Sequence, residues 1–585
     1  MPLLQPASSV PLAGRPTRAY VEVTGRTATW HGPAQDIAAA NQSPESSTAW
    51  ADDSADGEPI RLFVTYAVSA WVRGEEGGAE ETEEKDAQGG EGRVGSHAVN
   101  IALGVDGEWA NAGSVEASGK EWVRCWGSFR LEKPYGRAVL YVQGPPPGVS
   151  ILLADVRVVP VDWRERVPWL REQADRLRKG SLRLRLLSAT GQPIPSAHVS
   201  ANQTRRAFPL GTCVNARDLL GNKTYQSFFQ SRAQGGGIGN KKDLQIFLYS
   251  PLLLFTALPL PPQLPLNTGA IDNRIKSLPS RYPSCFAHMD VNSEMLHRGF
   301  FSSWCRLSVH SSLPHLPYPT PPPYTEAIDS RITSFFTRYP SCFTHMDVNN
   351  EMLHGGFFSS RCGPSIVPRM FKFAAQIDPS LVLFLNEYHI EDGEDEKSRP
   401  EKYTQFARQL IASGAPVGGL GTQCHISAPV GAHMRHAWNI LADVGLPVWV
   451  TELDVSSADE KVRADDLEIC LREAFAHGGL EGVVLWGFWE GSGPDQPSMS
   501  RKNAHLVRSD WSLTEAGERL NRLLEEWTTR DVVGRTDEEG WFVVEGFAGE
   551  YDVVVRDGGQ EWRTIVEVIP QKECVFEWRL ESGKI

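Results

Sequence analysis

"LPVWVTELDV", Leu446 to Val455, decides the fold. Its first five residues are apolar, and two carboxylates, Glu452 and Asp454, close the run. A strand with one wet face alternates apolar and polar residues. A near-continuous apolar run describes a strand covered on both faces, as in a parallel sheet. The pattern repeats outward. Before it stand "LVLFLNEY", "KYTQFARQLIASG", "VGGLGTQCH" and "MRHAWNILADVG"; after it come "ADDLEICLREAFAHGG" and "EGVVLWGFWEG". From Phe208 onward, buried strands alternate with amphipathic helices, which predicts a (β/α)8 barrel.

The flanks read differently. Residues up to about 165 hold short alternating segments such as "RLFVTYAVSAWV", "HAVNIALGV" and "SILLADVRVVPV". They lack helical periodicity, so residues 1–165 are expected to form a β-sandwich. The acidic stretch Gly74 to Gly92 within it reads as a disordered loop. Residues 166–206 give a helical connector, with Trp169, Leu170, Ala174 and Leu177 at helical spacing, and then a two-strand unit. The barrel is expected over 207–530 with an aberrant insert at 233–326, and a β extension over 531–585. The extension is expected to pair with Ser181 to Gln203.

At 585 residues the chain exceeds one core. Its net charge of −14 argues against a general nucleic-acid binder. Nine cysteines without a CxxC pair give no metal-site or disulfide pattern. The apolar run Leu244 to Pro262 is broken by four prolines, so no membrane span is expected. The first twenty residues show no basic start followed by an apolar core, so no secretory signal is visible. Eighteen tryptophans suit either large cores or flat platforms for a ring-shaped ligand. In the sandwich, Trp30, Trp109, Trp122 and Trp126 are the candidate platforms, with at least two of them expected in the core.

Functional side chains of such barrels gather at the C-terminal ends of strands. Those ends supply Asn350 and Glu351, Asn386, Glu387 and Tyr388, Gln423 and His425, Glu452 and Asp454, and Trp486 and Trp489. One rim thus collects carboxylates, amides, an imidazole and indoles. Each alone has a plain structural explanation: a helix cap, an ion-pair partner, a core ring. Together they match glycoside hydrolysis, where one carboxylic acid protonates the leaving oxygen and a second carboxylate attacks the sugar, while amides bind hydroxyls and aromatic faces stack on rings.

"HMDVNNEMLHGGFF", "LFLNEYHIEDG", "GAPVGGLGTQCHISAPVG", "LPVWVTELDVSS" and "LWGFWEG" resemble the plant branch of glycoside hydrolase family ten, the endo-1,4-β-xylanases. The resemblance runs from about Phe208 to Trp527. It implies a retaining double displacement in which Glu351 is the acid/base and Glu452 the nucleophile. Asn350 would hold the sugar hydroxyl beside the reacting carbon. His425 would bond Glu452, with Asp454 orienting it. Gln423, Asn386 and Tyr388 would line the cleft, and Trp486 would form part of its floor. The two carboxyl groups of a retaining enzyme stand about 5–5.5 Å apart, one protonated and one ionised. The implied partner is xylan or a related β-1,4-linked cell-wall polysaccharide, met by a monomer without cofactor or metal, outside the cell or in its wall. The sandwich resembles the carbohydrate-binding module that often precedes such barrels.

Two departures stand out. The acid/base segment is doubled: Ala270 to Cys305 aligns with Ala327 to Cys362 without gaps, at roughly three-quarters identity. The first copy keeps Glu294 but has Ser293 in place of Asn350 and Arg298 in place of Gly355, and it runs into a proline-rich segment. The second copy continues as the family does, so the chemistry is assigned to Glu351, and Glu294 is read as a displaced duplicate. The stretch 233–269 also lacks the family's Glu-Asn, Lys-Trp and Arg-Gly-His motifs. Barrel strands two and three are therefore expected to be missing, unless the first copy or the apolar run near Leu252 to Leu258 patches the sheet.

Overall fold

The computed structural model describes residues 21–23, 34–36, 60–74, 96–147, 149–215, 218, 221–234, 244–249, 290–291, 324–338, 344–491 and 503–581. The acidic stretch after Gly74, the segment 252–258, Trp30 and the duplicate residues Ser293, Glu294 and Arg298 lie outside them.

The barrel sheet comprises β1 (Leu210–Asn215), β2 (Leu244–Tyr249), β3 (Asp290–Val291), β4 (His345–Asn350), β5 (Val382–Glu387), β6 (Gly419–Thr422), β7 (Val448–Val455) and β8 (Leu480–Leu485). All neighbours pair in parallel, in the order β2-β1-β8-β7-β6-β5-β4-β3. All eight residues of β7 are buried, as its near-continuous apolar run requires. Helices close the outside. Residues 460–475 start behind Asp459, whose side chain accepts from the amides of Lys461 and Val462. That helix is buried along most of its length, and its charges are paired: Arg472 reaches Glu468 and Glu526, each at 2.7 Å.

The expectation of missing second and third strands allowed for a patch, and short segments do stand at both positions of a barrel that stays incomplete. β2 pairs with β1 over six residues, and β3, from the first copy of the doubled segment, pairs with His345 and Met346 of β4. Six residues dominated by apolar and aromatic types, "LQIFLY", suffice for a strand whatever functional motif they lack. The apolar run supplies β2 through its first residues, Leu244–Tyr249. No β2–β3 ladder links the described residues, although their Cα atoms come within 8 Å. The barrel curls round but stays unstitched at that seam, an incomplete barrel.

The sandwich stacks two antiparallel four-stranded sheets, one containing Thr65–Gly74, Val123–Arg130 and Ile151–Pro160, the other His97–Val105, Glu108–Ala117 and Ala138–Gln143. Val68, Val72, Ile101, Leu103, Val142 and Ile151 fill the space between them. Trp126 is 2% exposed, Trp122 lies half-buried with Arg73 over its ring at 5.2 Å, and Trp109 is 60% exposed. The last unit joins regions far apart in sequence. Lys179–Ser188 lies between Trp541–Phe547 and Glu573–Leu580, and His198–Arg206 lies between Val532–Arg535 and Gly549–Asp557. What the sequence divides into a connector and an extension is one β unit.

The sandwich sits on the barrel's C-terminal rim, against the loops after β5, β6 and β7. Arg130 reaches Asp466 at 2.7 Å and the carbonyl of Ser427, and Ser128 donates to the carbonyl of Ala428 at 2.7 Å. Trp126 lies under Arg399 (4.2 Å to the ring centre) and beside His433 (4.8 Å between rings). Burial and the nearby Arg124 push His433 down to about 3, so it contributes a neutral ring to this contact.

Candidate active site

Glu351 follows the last residue of β4 with a φ of +56°, a left-handed conformation that a non-glycine residue adopts only when its surroundings hold it there. Glu452 lies inside β7, its side chain aimed inward from a fully buried strand. Two amides link them. The Asn386 carbonyl accepts from the Glu351 amide at 3.0 Å, and its side-chain Nδ2 donates to Glu452 Oε1 at 2.9 Å. Gln423 Nε2 donates to Glu351 Oε1 at 3.2 Å, and its carbonyl accepts from the Glu452 amide at 3.1 Å. Asn386 and Gln423 are themselves buried, and Thr451 donates to Asn386 Oδ1 at 2.7 Å, which fixes the amide's orientation.

His425 completes the Glu452 side. Its Nε2 is 3.3 Å from Glu452 Oε2 and its Nδ1 is 3.0 Å from Asp454 Oδ1. Burial disfavours its charged form, but Asp454 and Glu452 outweigh burial and push it up to about 10. The ring is therefore a cation at neutral pH. Trp486 meets His425 edge to face at 5.9 Å and stays half-buried at the rim. Asn350 sits opposite Asn386 in the strand register. Tyr388, also half-buried, stacks on the His354 ring at 3.9 Å. The structure thus gathers Glu351, Glu452, Asn350, Asn386, Tyr388, Gln423, His425, Asp454 and Trp486 at one end of the barrel. Trp489 departs from the rim: it is 9% exposed and stacks on Trp511 at 4.7 Å, with Tyr225 edge-on.

Sequence reasoning assigned no role to a second group behind Glu351. His354 Nδ1 lies 2.7 Å from Glu387 Oε1, and its Nε2 lies 3.1 Å from Asp395 Oδ2. Burial opposes protonation, yet the two carboxylates hold His354 up at about 9. Burial pushes Glu387 upward, while the His354 bond pulls Asp395 down to about 2 against the effect of its own burial. Deeper still, burial raises Glu391 to about 7, with Thr422 and Trp438 donating to it. His354 follows Glu351 by three residues within "HMDVNNEMLHGGFF"; Asp395 stands in the charged run "EDGEDEK", which carries no motif that points to it. Among the described residues, His389, Asp392 and Glu394 place ligand-type atoms within 4.8 Å of one another, but His389 and Asp392 already pair at 2.6 Å.

Residues 310–506 match the model for Glycosyl hydrolase family 10. The chain is thus similar to this family over residues 310–506. It is 39% identical to endo-1,4-beta-xylanase 2 of Arabidopsis thaliana over 545 residues, covering 93% of this chain and 44% of that one. Endo-1,4-beta-xylanase 1 of the same plant is 36% identical over 547 residues, covering 93% and 50%. The chain spans about half the length of these curated relatives. A solved structure, xylanase 10B from Thermotoga petrophila RKU-1 in complex with xylobiose, has a TM-score of 0.44 at 15% identity, covering 55% of this chain and 94% of that one. Among the described residues, no helix is long and apolar enough to cross a membrane.

Proposed function

We propose that the barrel, as a family 10 domain, hydrolyses internal β-1,4 bonds of xylan with retention at the reacting carbon. Glu351 protonates the leaving oxygen while Glu452 attacks from the opposite side, forming a glycosyl-enzyme ester. Glu351 then takes a proton from the water that cleaves it. His425, held by Asp454, contacts one oxygen of Glu452, and Asn386 fixes the other oxygen of the carboxylate that attacks. Asn350, Tyr388, Gln423 and Trp486 bind the sugar rings. No step calls for a metal or a cofactor.

One observation carries this reading: Asn386 and Gln423 each hold both glutamates, one contact through the backbone and one through the side chain. Two glutamates tied by the same pair of amides form a working unit, not two separate helix caps or surface ion pairs. Xylan in the cell wall places the protein outside the cell, and the sandwich then serves as a xylan-binding module.

A second reading rests on β2 and β3. The segments at these positions carry none of the family's amide, Lys-Trp or Arg-Gly-His motifs, so a polysaccharide-binding protein without turnover would also fit. Reducing-end release and viscosity loss on soluble xylan decide between them. The hydrolase reading expects wild type to release reducing ends with a rapid fall in viscosity, and Glu452→Gln to release none. Xylan binding with equal, background release from both proteins supports the binding reading. Transfer to an added sugar acceptor, read by product length, separates transglycosylation from hydrolysis.

A further inference from the structure

The turn bearing Glu351 is held from behind, and what holds it reaches the sandwich. Glu387 is the hub. Its Oε2 accepts from the Leu353 amide at 2.9 Å, and its Oε1 accepts from the Tyr388 amide at 3.0 Å and meets His354 Nδ1 at 2.7 Å. The His354 amide closes the turn onto the Glu351 carbonyl at 3.2 Å. A left-handed glutamate is costly and persists only where its neighbours over-determine it. Here the neighbours are Glu387 and a His354 ring that offers a proton to a carboxylate on each side, with Tyr388 stacked on its face at an interplanar angle of 16°.

The outer carboxylate of this clamp, Asp395, belongs to the loop on which the sandwich lies. The Ser114 amide donates to the Gly393 carbonyl at 2.7 Å, Asn111 Nδ2 donates to the Glu394 carbonyl, and Ser114 Oγ donates to Glu396 Oε2 at 2.9 Å. Three contacts from one sandwich strand, Glu108–Ala117, thus bracket Asp395 on both sides. The approach is close. Gly393 has a φ of +73°, and a Cβ there would stand 2.3 Å from the Trp126 carbonyl oxygen, so only glycine lets the loop meet the sandwich.

We propose that His354 is a positioning residue for Glu351, and that the sandwich keeps it in place by fixing the loop that carries Asp395. The inference rests on the reading of Glu351 as acid/base. On that reading, loosening the turn weakens proton delivery to the leaving oxygen more than it weakens attack by Glu452, which is held separately by Asn386 and His425.

Leaving-group chemistry tests this. kcat/KM, which reports the bond-breaking half-reaction, is measured on phenyl and 2,4-dinitrophenyl β-xylobiosides; the first leaving group needs a proton and the second does not. His354→Phe should lower kcat/KM on the phenyl substrate by ~30-fold and on the dinitrophenyl substrate by less than ~3-fold, the size that a slight misplacement produces. His354→Gln, which keeps one donor, should recover part of the loss. Ser114→Asp, which repels Glu396, should show the same selective loss at about 5-fold and add little in the His354→Phe background, because both act through one element. The ratio between substrates is independent of the folded fraction, so a poorly folding variant still reports.

An equal loss on both substrates, or no loss, overturns the role of His354. Losses that multiply in the double variant overturn the role of the sandwich. A wild type that cleaves neither substrate removes the hydrolase reading and this proposal with it. A wild type that cleaves both while His354→Phe loses them equally removes this proposal alone.

Discussion

The rim holds two histidines, each set between two carboxylates, and they are built for different ends. In the Asp454–His425–Glu452 group, the carboxylate at the centre of the site is held by side chains: Asn386 on one oxygen, His425 on the other. In the Asp395–His354–Glu387 group, the inner carboxylate is used up by two backbone amides and the imidazole. Glu452 is held through side chains that can yield to a substrate, whereas backbone partners turn Glu387 into a bracket for chain direction. Residue types alone do not separate a reacting carboxylate from a structural one; the origin of its donors does.

The sharpest break between the two groups is substitution of their carboxylates by the matching amides. Glu452→Gln should abolish reducing-end release from xylan, by at least ~10⁴-fold, because no nucleophile remains. Glu387→Gln should leave measurable turnover and instead lower the thermal midpoint. Glu351→Ala should follow Glu452→Gln in size, with ~10³-fold lost on xylan, and should retain activity on a dinitrophenyl xylobioside. If Glu387→Gln matched Glu452→Gln on both substrates, the distinction between the groups would collapse.

Smaller effects sharpen the comparison. Arg130→Ala leaves Asp466 buried without its partner under the sandwich. Urea unfolding should show a loss of about 3 kcal/mol, the cost typical of an orphaned buried charge. pH offers a gentler probe. His354 and His425 are raised above the ordinary imidazole value, to about 9 and about 10, so the stability that each contributes is fully present below pH 6.5 and fades as pH climbs through those values. Thermal midpoints should therefore fall between pH 7 and 10, and His354→Gln should remove the part of that fall that is complete near pH 9. Asp395, held at about 2, contributes stability above its ordinary value that is lost only as pH falls toward 2. Smallest of all, Trp109→Ala should shift stability by less than about 0.5 kcal/mol, since the ring is largely exposed.

Much of this could be read from the chain. β5 to β8 announce themselves as apolar runs ending in polar residues, and the side chains at those ends meet in space. Where the reading stopped, long-range packing was responsible. "LQIFLY" lacks the family's motifs and so does not announce a barrel strand, yet strand pairing asks only for six residues beside a partner. Asp395 carries no signal within its charged run; it is half-buried on a loop that the strand Glu108–Ala117 contacts, and no local pattern encodes that. Trp489 shared a strand end with Trp486, but Tyr225 and Trp511 cover it from elsewhere in the chain.

The buried seat of Trp126, Ser128 and Arg130 gives the sandwich a single orientation. A tethered module samples a sphere and raises local concentration whatever its bearing. A clamped one confers its full advantage only on polymers whose trajectory connects both surfaces, and none on the rest. On the proposed reading of the sandwich as a xylan-binding module, docking of this kind turns a matter of proximity into one of alignment, so the stiffness and branching of a polysaccharide, and not its sugar content alone, would govern which chains profit from it.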